Sequence, residues 1–212
     1  MRYPEYAEID GKRYKINTDF RVAIECNRIA EDETIGDYER VLGVIYTLFG
    51  EEGINTPEHY ERLLEMAKKY LSCGKELEIR KQEEPDMDYI QDMDYIEASF
   101  MSDYRIDLSN EEMHWWKFCN LMNGLSNSEL GNSCILNRIR NIRTMDLSQI
   151  KDKKERDKLA KLKKEFALKK NRPKKKATEK EKQSAMEFLK MLKNGKEWFY
   201  GWLDNNWYKI RF

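Results

Sequence analysis

The sequence predicts a mainly α protein with a small N-terminal β-hairpin and an extended basic helical C-terminal arm. Three observations predict this class. Apolar residues recur at three- and four-residue intervals along most of the chain, as on one face of a helix. Glycine and proline are scarce, 10 and 4 of 212 residues, which disfavours a turn-rich all-β fold. Charged residues make up 37% of the chain, against about 25% in a typical domain, which favours helices standing in water beside one compact part.

The first predicted elements are a hairpin and three helices. Asp10-Gly11 supplies the positive φ of a type I′ turn between two short strands. Two strands alone are marginally stable, so the hairpin has to pack on the helices that follow. The predicted strands are Tyr6 to Ile9 and Lys12 to Ile16. The predicted helices are one capped by Asn17 or Thr18 that carries Phe20 to Ile29, one from Ile35 to Phe49 that Gly50 and Gly53 end, and one that Thr56-Pro57 opens and that ends near Gly74.

The second half of the chain is also predicted to be helical. Helical spacing of Tyr89, Met93, Ile96 and Phe100 indicates an amphipathic helix with acids at its N-terminal end, where they suit the helix dipole. Capping boxes and apolar spacing predict the others. They are a helix over Met113 to Met122 opened by Ser109–Glu112 and ended by Gly124, one over Cys134 to Arg143, a long one capped by Asp146 or Ser148 that runs through Leu168, and one opened by Thr178–Glu181.

Composition divides the chain into five parts. The boundaries follow a polar stretch that contains Pro85, an aromatic signature, a lysine-rich stretch and a terminal segment with seven aromatic residues. The predicted parts are an N-terminal hairpin with helices (1–74), a linker (75–88), a helical core with the aromatic signature (89–145), a basic helical arm (146–197) and an aromatic tail (198–212).

The formal net charge is zero, but the charges are separated along the chain. Residues 1–136 hold 15 Lys and Arg against 29 Asp and Glu, and residues 137–212 hold 24 against 10. Net neutrality argues against a chain that coats DNA unaided and against an acidic DNA mimic. The basic half could bind its own acidic half, that of a second copy, or a protein partner. The electrostatic candidates are Lys151, Lys154, Lys161, Lys164, Lys174, Lys175 and Lys176.

Nucleic acid is the less favoured target of these lysines. A dense basic run binds phosphate through counterion release. Acidic residues interleave with the lysines here, however, as on a solvated helix with i,i+4 pairs. A protein partner is therefore the better prediction.

Neither catalysis nor metal binding is predicted. Asp86, Asp88, Asp92 and Asp94 lack the glycine and glutamate that an EF-hand loop needs in register. His59 and His114 do not form a zinc set at their spacing. Phosphate-loop, dinucleotide and serine-hydrolase motifs are absent, so we expect no enzyme activity and no cofactor. Reduced thiols are expected at Cys26, Cys73, Cys119 and Cys134, and no apolar run approaches the length of a membrane span or of a secretory signal.

Two apolar sets are the candidates for packing or partner binding. Trp115 and Trp116 point about 100° apart on a helix, so one can face a core while the other meets a different neighbour. An aromatic core is the simpler interpretation, and a hydrophobic docking patch is the functional one. The candidates are Trp115, Trp116, Phe118 and Met122, together with a thin stripe of Leu159, Leu162 and Phe166 on the basic arm.

These same residues carry a family resemblance. The stretches are Tyr95–Phe100, Tyr104–Leu108, His114–Phe118, Leu121–Leu125, Ile142-Arg143, Asp146-Leu147, Leu159–Lys163 and Phe166–Leu168. In this combination, strongest over about 86–168, the chain resembles the bacteriophage gene-product-fifteen family of long-tailed phages and prophages of Gram-positive bacteria. The aromatic 198–212 tail has no match in that pattern.

The resemblance implies a tail-assembly protein in the cytoplasm of the bacterial host. Genes of this family typically lie between those for the major tail protein and the tape-measure protein, where tail-assembly chaperones are encoded. The expected role is a non-catalytic chaperone or adaptor that holds helical segments of the tape-measure protein in its grooves. The alternatives are a non-specific nucleic-acid-binding phage protein and a structural virion subunit such as a tail-completion protein.

Overall fold

The computed structural model describes residues 3–32, 34–75, 85–127 and 133–169. Within these ranges the chain is mainly helical with a two-stranded N-terminal sheet, which confirms the predicted fold class. The elements are β1 (Tyr6–Ile9), β2 (Lys12–Lys15), α1 (Phe20–Glu31), α2 (Asp37–Ile54), α3 (Tyr60–Leu71), α4 (Met93–Tyr104), α5 (Trp115–Asn123), α6 (Ile135–Thr144) and α7 (Lys153–Glu165), with 3₁₀ turns at Pro57–His59 and Leu147–Gln149. The helix predicted after Thr178, the 198–212 tail and most of the 75–88 linker lie outside the described residues.

The described residues group into two compact units. Unit 1 takes residues 3–5, 18–25 and the described part of 68–169, and unit 2 takes 6–17 and the described part of 26–67. The boundaries fall inside α1 and α3, so each of these helices contributes residues to both units.

The hairpin of unit 2 forms as the sequence predicts. β1 and β2 pair antiparallel with Ile9 opposite Lys12, and Asp10 and Gly11 both have positive φ, 51° and 78°. These angles are those of a type I′ turn, whose twist matches that of the strands. The second strand ends at Lys15, one residue earlier than predicted.

One buried tyrosine anchors the hairpin in unit 2. Tyr14 is fully buried, its ring meets Phe49 of α2 edge-on at 6.4 Å, and its hydroxyl lies 2.6 Å from His59 Nδ1. Lys12 Nζ donates to Thr56 Oγ1 at 2.9 Å, and the Asn17 amide donates to the Leu48 carbonyl at 2.8 Å. The strands therefore obtain from α2 and the turn after it the packing that an isolated hairpin lacks.

Two helix boundaries in the first half differ from the prediction. Asp19, rather than Asn17 or Thr18, caps α1, since its Oδ1 accepts from the Arg21 amide at 2.9 Å. α2 begins at Asp37 instead of Ile35 and continues to Ile54. Gly50, with the non-helical angles φ 67° and ψ −159°, separates two helical stretches within α2, so the first stretch stops at Gly50 as predicted.

Stacked aromatic rings form the core of unit 1. Phe118 of α5 is fully buried and stacks on Phe20 at 4.6 Å, on Phe100 of α4 at 5.2 Å and on Trp115 at 5.7 Å. Leu136 and Ile139 place the buried face of α6 in the same unit. Offset stacking of this kind adds to the free energy gained by burying the rings.

The helices of unit 1 also begin later than the sequence predicts. α4 begins at Met93, so Tyr89 lies in the turn before it. The long helix predicted from Asp146 or Ser148 is divided. Asp146 caps the 3₁₀ turn at Leu147–Gln149, and α7 starts separately at Lys153, where Asp152 Oδ1 accepts from the Glu155 amide at 3.0 Å. Each short stretch thus has its own aspartate cap.

Candidate partner-binding surfaces

A bridge between distant segments, rather than the predicted capping box, fixes the start of α5. The Phe20 amide donates to the Met113 carbonyl at 2.9 Å, and the Trp115 amide donates to the Thr18 carbonyl at 2.8 Å. These bonds hold Met113 extended, so the helix begins two residues later than predicted. His114 is its cap, because its Nδ1 accepts from the Trp116 amide at 3.0 Å.

The predicted box at Ser109–Glu112 does not open this helix. Asp107 takes the local donors instead, since its Oδ1 accepts from the Ser109 amide at 3.0 Å and from the Ser109 hydroxyl at 2.5 Å. The carboxylate therefore closes a turn where the sequence pattern predicts a helix start.

Both tryptophans of α5 hold the end of α3. Trp115 Nε1 donates to the Leu71 carbonyl at 3.0 Å, and Trp116 Nε1 donates to the Tyr70 carbonyl at 2.9 Å. Carbonyls in the last turn of a helix have no partner within that helix, so the two indoles act as its cap. Trp115, 2% exposed, and the fully buried Phe118 are packing residues.

Trp116 and Met122 are the two half-buried members of the predicted aromatic set. The Trp116 ring stacks on Tyr70 at 6.2 Å and meets Tyr3 edge-on at 6.4 Å. Tyr3 in turn stacks on His114 at 4.9 Å, and His114 Nε2 lies 3.0 Å from the Pro4 carbonyl. Because Trp116 and Met122 keep exposed area, they are the members that a partner can reach.

A buried ion pair joins Asp92, the residue before α4, to Arg143 of α6. Arg143 Nη1 and Nη2 bind the two oxygens of Asp92 at 2.6 and 2.7 Å, with side chains only 9% and 1% exposed. Arg143 Nε donates to the Phe166 carbonyl at 2.6 Å. A second, half-exposed pair joins Arg140 to Asp86 at 2.8 Å.

Sequence reasoning did not identify either pair. The aspartates resemble any acidic helix start, and the arginines lie more than 50 positions away. Two of the four aspartates considered for calcium, Asp86 and Asp92, are instead paired with arginine. Among the described residues, no group of three His, Cys, Asp or Glu is placed to hold a metal ion.

α7 is a basic helix with a thin apolar side. It has no buried residue, and Leu159, Leu162 and Phe166 are each half-buried. Lys163 Nζ donates to the Met145 carbonyl at 2.7 Å, and the Lys169 amide donates to Gln91 Oε1 at 2.8 Å. Of the predicted electrostatic candidates, Lys151, Lys154, Lys161 and Lys164 are exposed, and Lys174, Lys175 and Lys176 lie outside the described residues.

An acidic recess lies beside α4. It encloses about 330 Å³ and is lined by Asp94, Glu97, Ala98, Met101, Asp107 and Leu108. Met101 is 43% exposed and gives the recess an apolar wall beside three carboxylates. Hydrogen bonds from Ser109 and Asn110 lower the pKa of Asp107 below its ordinary value of 3.8, so this carboxylate stays charged near neutral pH.

No helix in the described part of the chain is long and apolar enough to cross a bilayer.

The described surface of unit 1 offers three features to a partner. They are the half-buried Trp116 and Met122, the acidic recess and the basic α7.

Comparison with known proteins identifies a family for the chain. No curated protein matches the chain, and no solved structure matches it. The model of the family described as Bacteriophage Gp15 protein matches residues 2–168, which include the hairpin and all seven helices from α1 to α7. With well over half of its length matched, the chain belongs to the bacteriophage Gp15 protein family.

Proposed function

We propose that the chain is a non-catalytic tail-assembly protein, a chaperone or adaptor that binds helical segments of the tape-measure protein. Its membership of a phage family of structural or assembly type supports this role. The resemblance carried by the residues around His114–Phe118 points to the tail in particular.

The observation that carries the proposal is the solvent exposure of α7. This helix has no buried residue, and its apolar stripe is only half-buried. Part of the stripe is therefore still available to bind a partner. Leu159, Leu162 and Phe166 can be covered by one face of a partner helix, and the lysines around them can meet acidic residues beside that face. This is helix-in-groove recognition, in which residues at i, i+3 and i+7 anchor the contact.

The test is co-expression with the tape-measure protein, followed by measurement of the soluble fraction of that protein. The wild-type chain is expected to raise it. The double variant Leu159→Ser/Leu162→Ser should lose the effect, because it removes the stripe. Asp157→Ser changes an exposed residue on the opposite side of α7 and should keep it. Circular dichroism of each variant establishes that it is folded.

If the wild-type chain leaves the solubility of the tape-measure protein unchanged, the chaperone role is wrong. If both variants behave like the wild type, chaperoning does not use α7. Finding the chain in purified virions at the stoichiometry of a tail component would favour the structural-subunit alternative, since a chaperone leaves before maturation.

Phosphate binding is the competing use of α7, because its exposed lysines could contact a nucleic-acid backbone. Such contacts weaken by about 10³- to 10⁵-fold between 50 and 200 mM salt when 6 to 10 phosphates are neutralised. We expect no DNA binding at 150 mM salt. Binding that falls with this slope would support the alternative function.

Self-association is a further proposal on the same surfaces. Unit 1 carries both an acidic recess and a basic helix, so lysines on the α7 of one copy can contact the carboxylates of the recess of another. Such a head-to-tail contact closes into a ring or continues as a filament. Sedimentation at 50 mM and 1 M salt tests this, because an oligomer of this kind should dissociate at high salt.

A further inference from the structure

Two of the four cysteines lie side by side in unit 1, although 46 positions separate them in the chain. Cys73 is in the turn after α3 and Cys119 is on α5, and the two thiols lie close enough for each to shift the pKa of the other. Both are partly exposed, whereas Cys26 and Cys134 are buried. This pair therefore combines proximity with access from solvent.

The contacts that hold α5 against the end of α3 also bring the two thiols together. Cys119 follows Trp115 by four residues and Trp116 by three, so it lies on the same side of α5 as the two indoles. Those indoles donate to the carbonyls of Leu71 and Tyr70, two and three residues before Cys73. The pairing is thus a consequence of the fold rather than of one side-chain rotamer.

The turn that carries Cys73 is tightly held. Cys73 and Gly74 have positive φ, 55° and 72°, and the Gly74 amide donates to the Lys69 carbonyl at 2.8 Å. A Cβ on Gly74 would lie 3.1 Å from the Trp116 ring, so the turn and the ring are in close contact. Cys73 is therefore fixed in position relative to α5.

The two thiols are not equivalent. The hydrogen bond from Cys119 lowers the pKa of Cys73, and the positive charge of Lys75 acts in the same direction. The same bond raises the pKa of Cys119, which therefore keeps its proton. Burial raises the pKa of the neighbouring Tyr89 to about 12, so its phenol does not compete as a base. Cys73 is the thiol that reacts first, because the thiolate is the nucleophile.

We propose that Cys73 and Cys119 form a redox-sensitive dithiol that peroxide closes into an intramolecular disulfide. The Cys73 thiolate attacks one oxygen of hydrogen peroxide, forming the S–O bond of a sulfenic acid and releasing hydroxide, which is protonated to water. The Cys119 sulfur then attacks that sulfenic sulfur, the S–S bond forms, and hydroxide leaves with the Cys119 proton as a second water. Two thiols lose two electrons and two protons, and one peroxide is reduced to two waters.

The disulfide would tie the turn after α3 to α5 beside the half-buried Trp116. Closing this long loop restricts the unfolded chain and should raise the melting temperature by about 4 °C or more. Reduction by a thiol restores the free pair. The modification thus adds a reversible clamp next to one of the surfaces that a partner can reach.

The test uses the full-length protein treated with hydrogen peroxide or with a phosphine reductant, then alkylated, digested and analysed by mass spectrometry. We expect a cross-linked peptide pair joining Cys73 to Cys119, formed at a rate independent of protein concentration, and the rise in melting temperature. Cys119→Ser should instead leave Cys73 as a sulfenic acid that dimedone traps.

Three results would overturn the proposal. They are recovery of both thiols in alkylated form after peroxide treatment, a disulfide between two molecules, and a disulfide that includes Cys26 or Cys134. A melting temperature that falls on oxidation would also contradict it, since the bond would then distort the native arrangement. The wild-type measurements decide the matter even if Cys119→Ser does not fold.

Discussion

The buried ion pair between Asp92 and Arg143 predicts that replacing one side-chain oxygen of Asp92 greatly lowers the free energy of unfolding. Asp92→Asn keeps the size of the side chain and removes its charge, which leaves the Arg143 guanidinium buried opposite a neutral amide. Arg143 is 9% exposed and Asp92 1%, so water cannot replace the lost partner. Breaking such a pair from one side costs about 3–5 kcal/mol in the free energy of unfolding.

The expected loss of stability is large because Asp92 is buried and both of its carboxylate oxygens are hydrogen-bonded. Both oxygens of Asp92 are used by Arg143, at 2.6 and 2.7 Å, and Oδ2 also accepts from the Asp88 amide at 3.0 Å. A loss of this size corresponds to a fall in melting temperature of about 6–20 °C for a chain of this length. In urea the midpoint should fall by about 1–2.5 M.

The assay is thermal and urea unfolding followed by circular dichroism, with Asp86→Asn as the matched control. Asp86 makes the same type of ion pair to Arg140, but both side chains are 36% exposed. Exposed pairs contribute about 0–1 kcal/mol, so this control should lose little stability. The double variant Asp92→Leu/Arg143→Met should recover part of the loss, because no buried charge remains.

Two results would refute this reasoning. One is a loss below about 1 kcal/mol for Asp92→Asn, which would mean that the guanidinium reaches water. The other is a double variant less stable than Asp92→Asn, which would mean that the other hydrogen bonds of Arg143 dominate.

Three further predictions concern the hairpin turn, one carboxylate and the start of α7. Gly11→Ala should lose about 1 kcal/mol in urea unfolding because φ is 78° at this position, while Gly11→Asn should lose less, and equal losses would contradict the backbone explanation. Hydrogen bonds from Ser109 and Asn110 put the folded pKa of Asp107 below 3.8, so its stabilisation is complete above that pH and is lost as pH falls through the folded value. A carboxyl NMR titration should therefore give a midpoint below 3.8 for Asp107, and a midpoint at or above it would disprove the shift. Asp152→Ala removes the cap of α7 and should cost that helix about 1 kcal/mol, seen as faster amide exchange in its first turn with α4 unchanged. Unchanged exchange would mean that the cap is dispensable.

Local signals in the sequence were sufficient to predict much of the secondary structure. The hairpin turn depends on Asp10 and Gly11 alone, so it could be predicted without knowledge of any distant residue. The start of α3 after Thr56-Pro57 and the end of α5 at Gly124 are local in the same sense. In each case the conformation is decided by residues next to each other in the chain.

The errors arise where distant residues compete with a local signal. Ser109–Glu112 is a good helix start in isolation, but hydrogen bonds to Thr18 and Phe20 hold the following segment extended. Asp92 could be read as a helix-dipole acid because nothing in the sequence connects it with Arg143. The Cys73–Cys119 pair is hidden for the same reason, since a spacing of 46 has no pattern of its own.

The candidate surfaces were predicted in part. The sequence identified an aromatic set and a basic stripe, and the structure divides the first into packing residues and two partly accessible ones. Which members are packed and which are accessible depends on the side of α5 that faces α3. Both neighbouring tryptophans donate hydrogen bonds to the end of α3. Periodicity gives the faces of a helix but not its neighbours.

The bridge between residues 18–20 and 113–115 has a consequence for synthesis on the ribosome. The Phe20 amide donates to the Met113 carbonyl, and the Thr18 carbonyl, which also accepts from the Tyr70 hydroxyl at 3.3 Å, accepts from the Trp115 amide. The ribosome adds about 5–20 residues per second, so several seconds or longer pass between the synthesis of residues 18–20 and that of residues 113–115. During that time Phe20 is without Phe118, its stacking partner. Unit 1 therefore closes only after α5 has left the exit tunnel, and chains that stop before it expose the rings of α1 and α4 to aggregation.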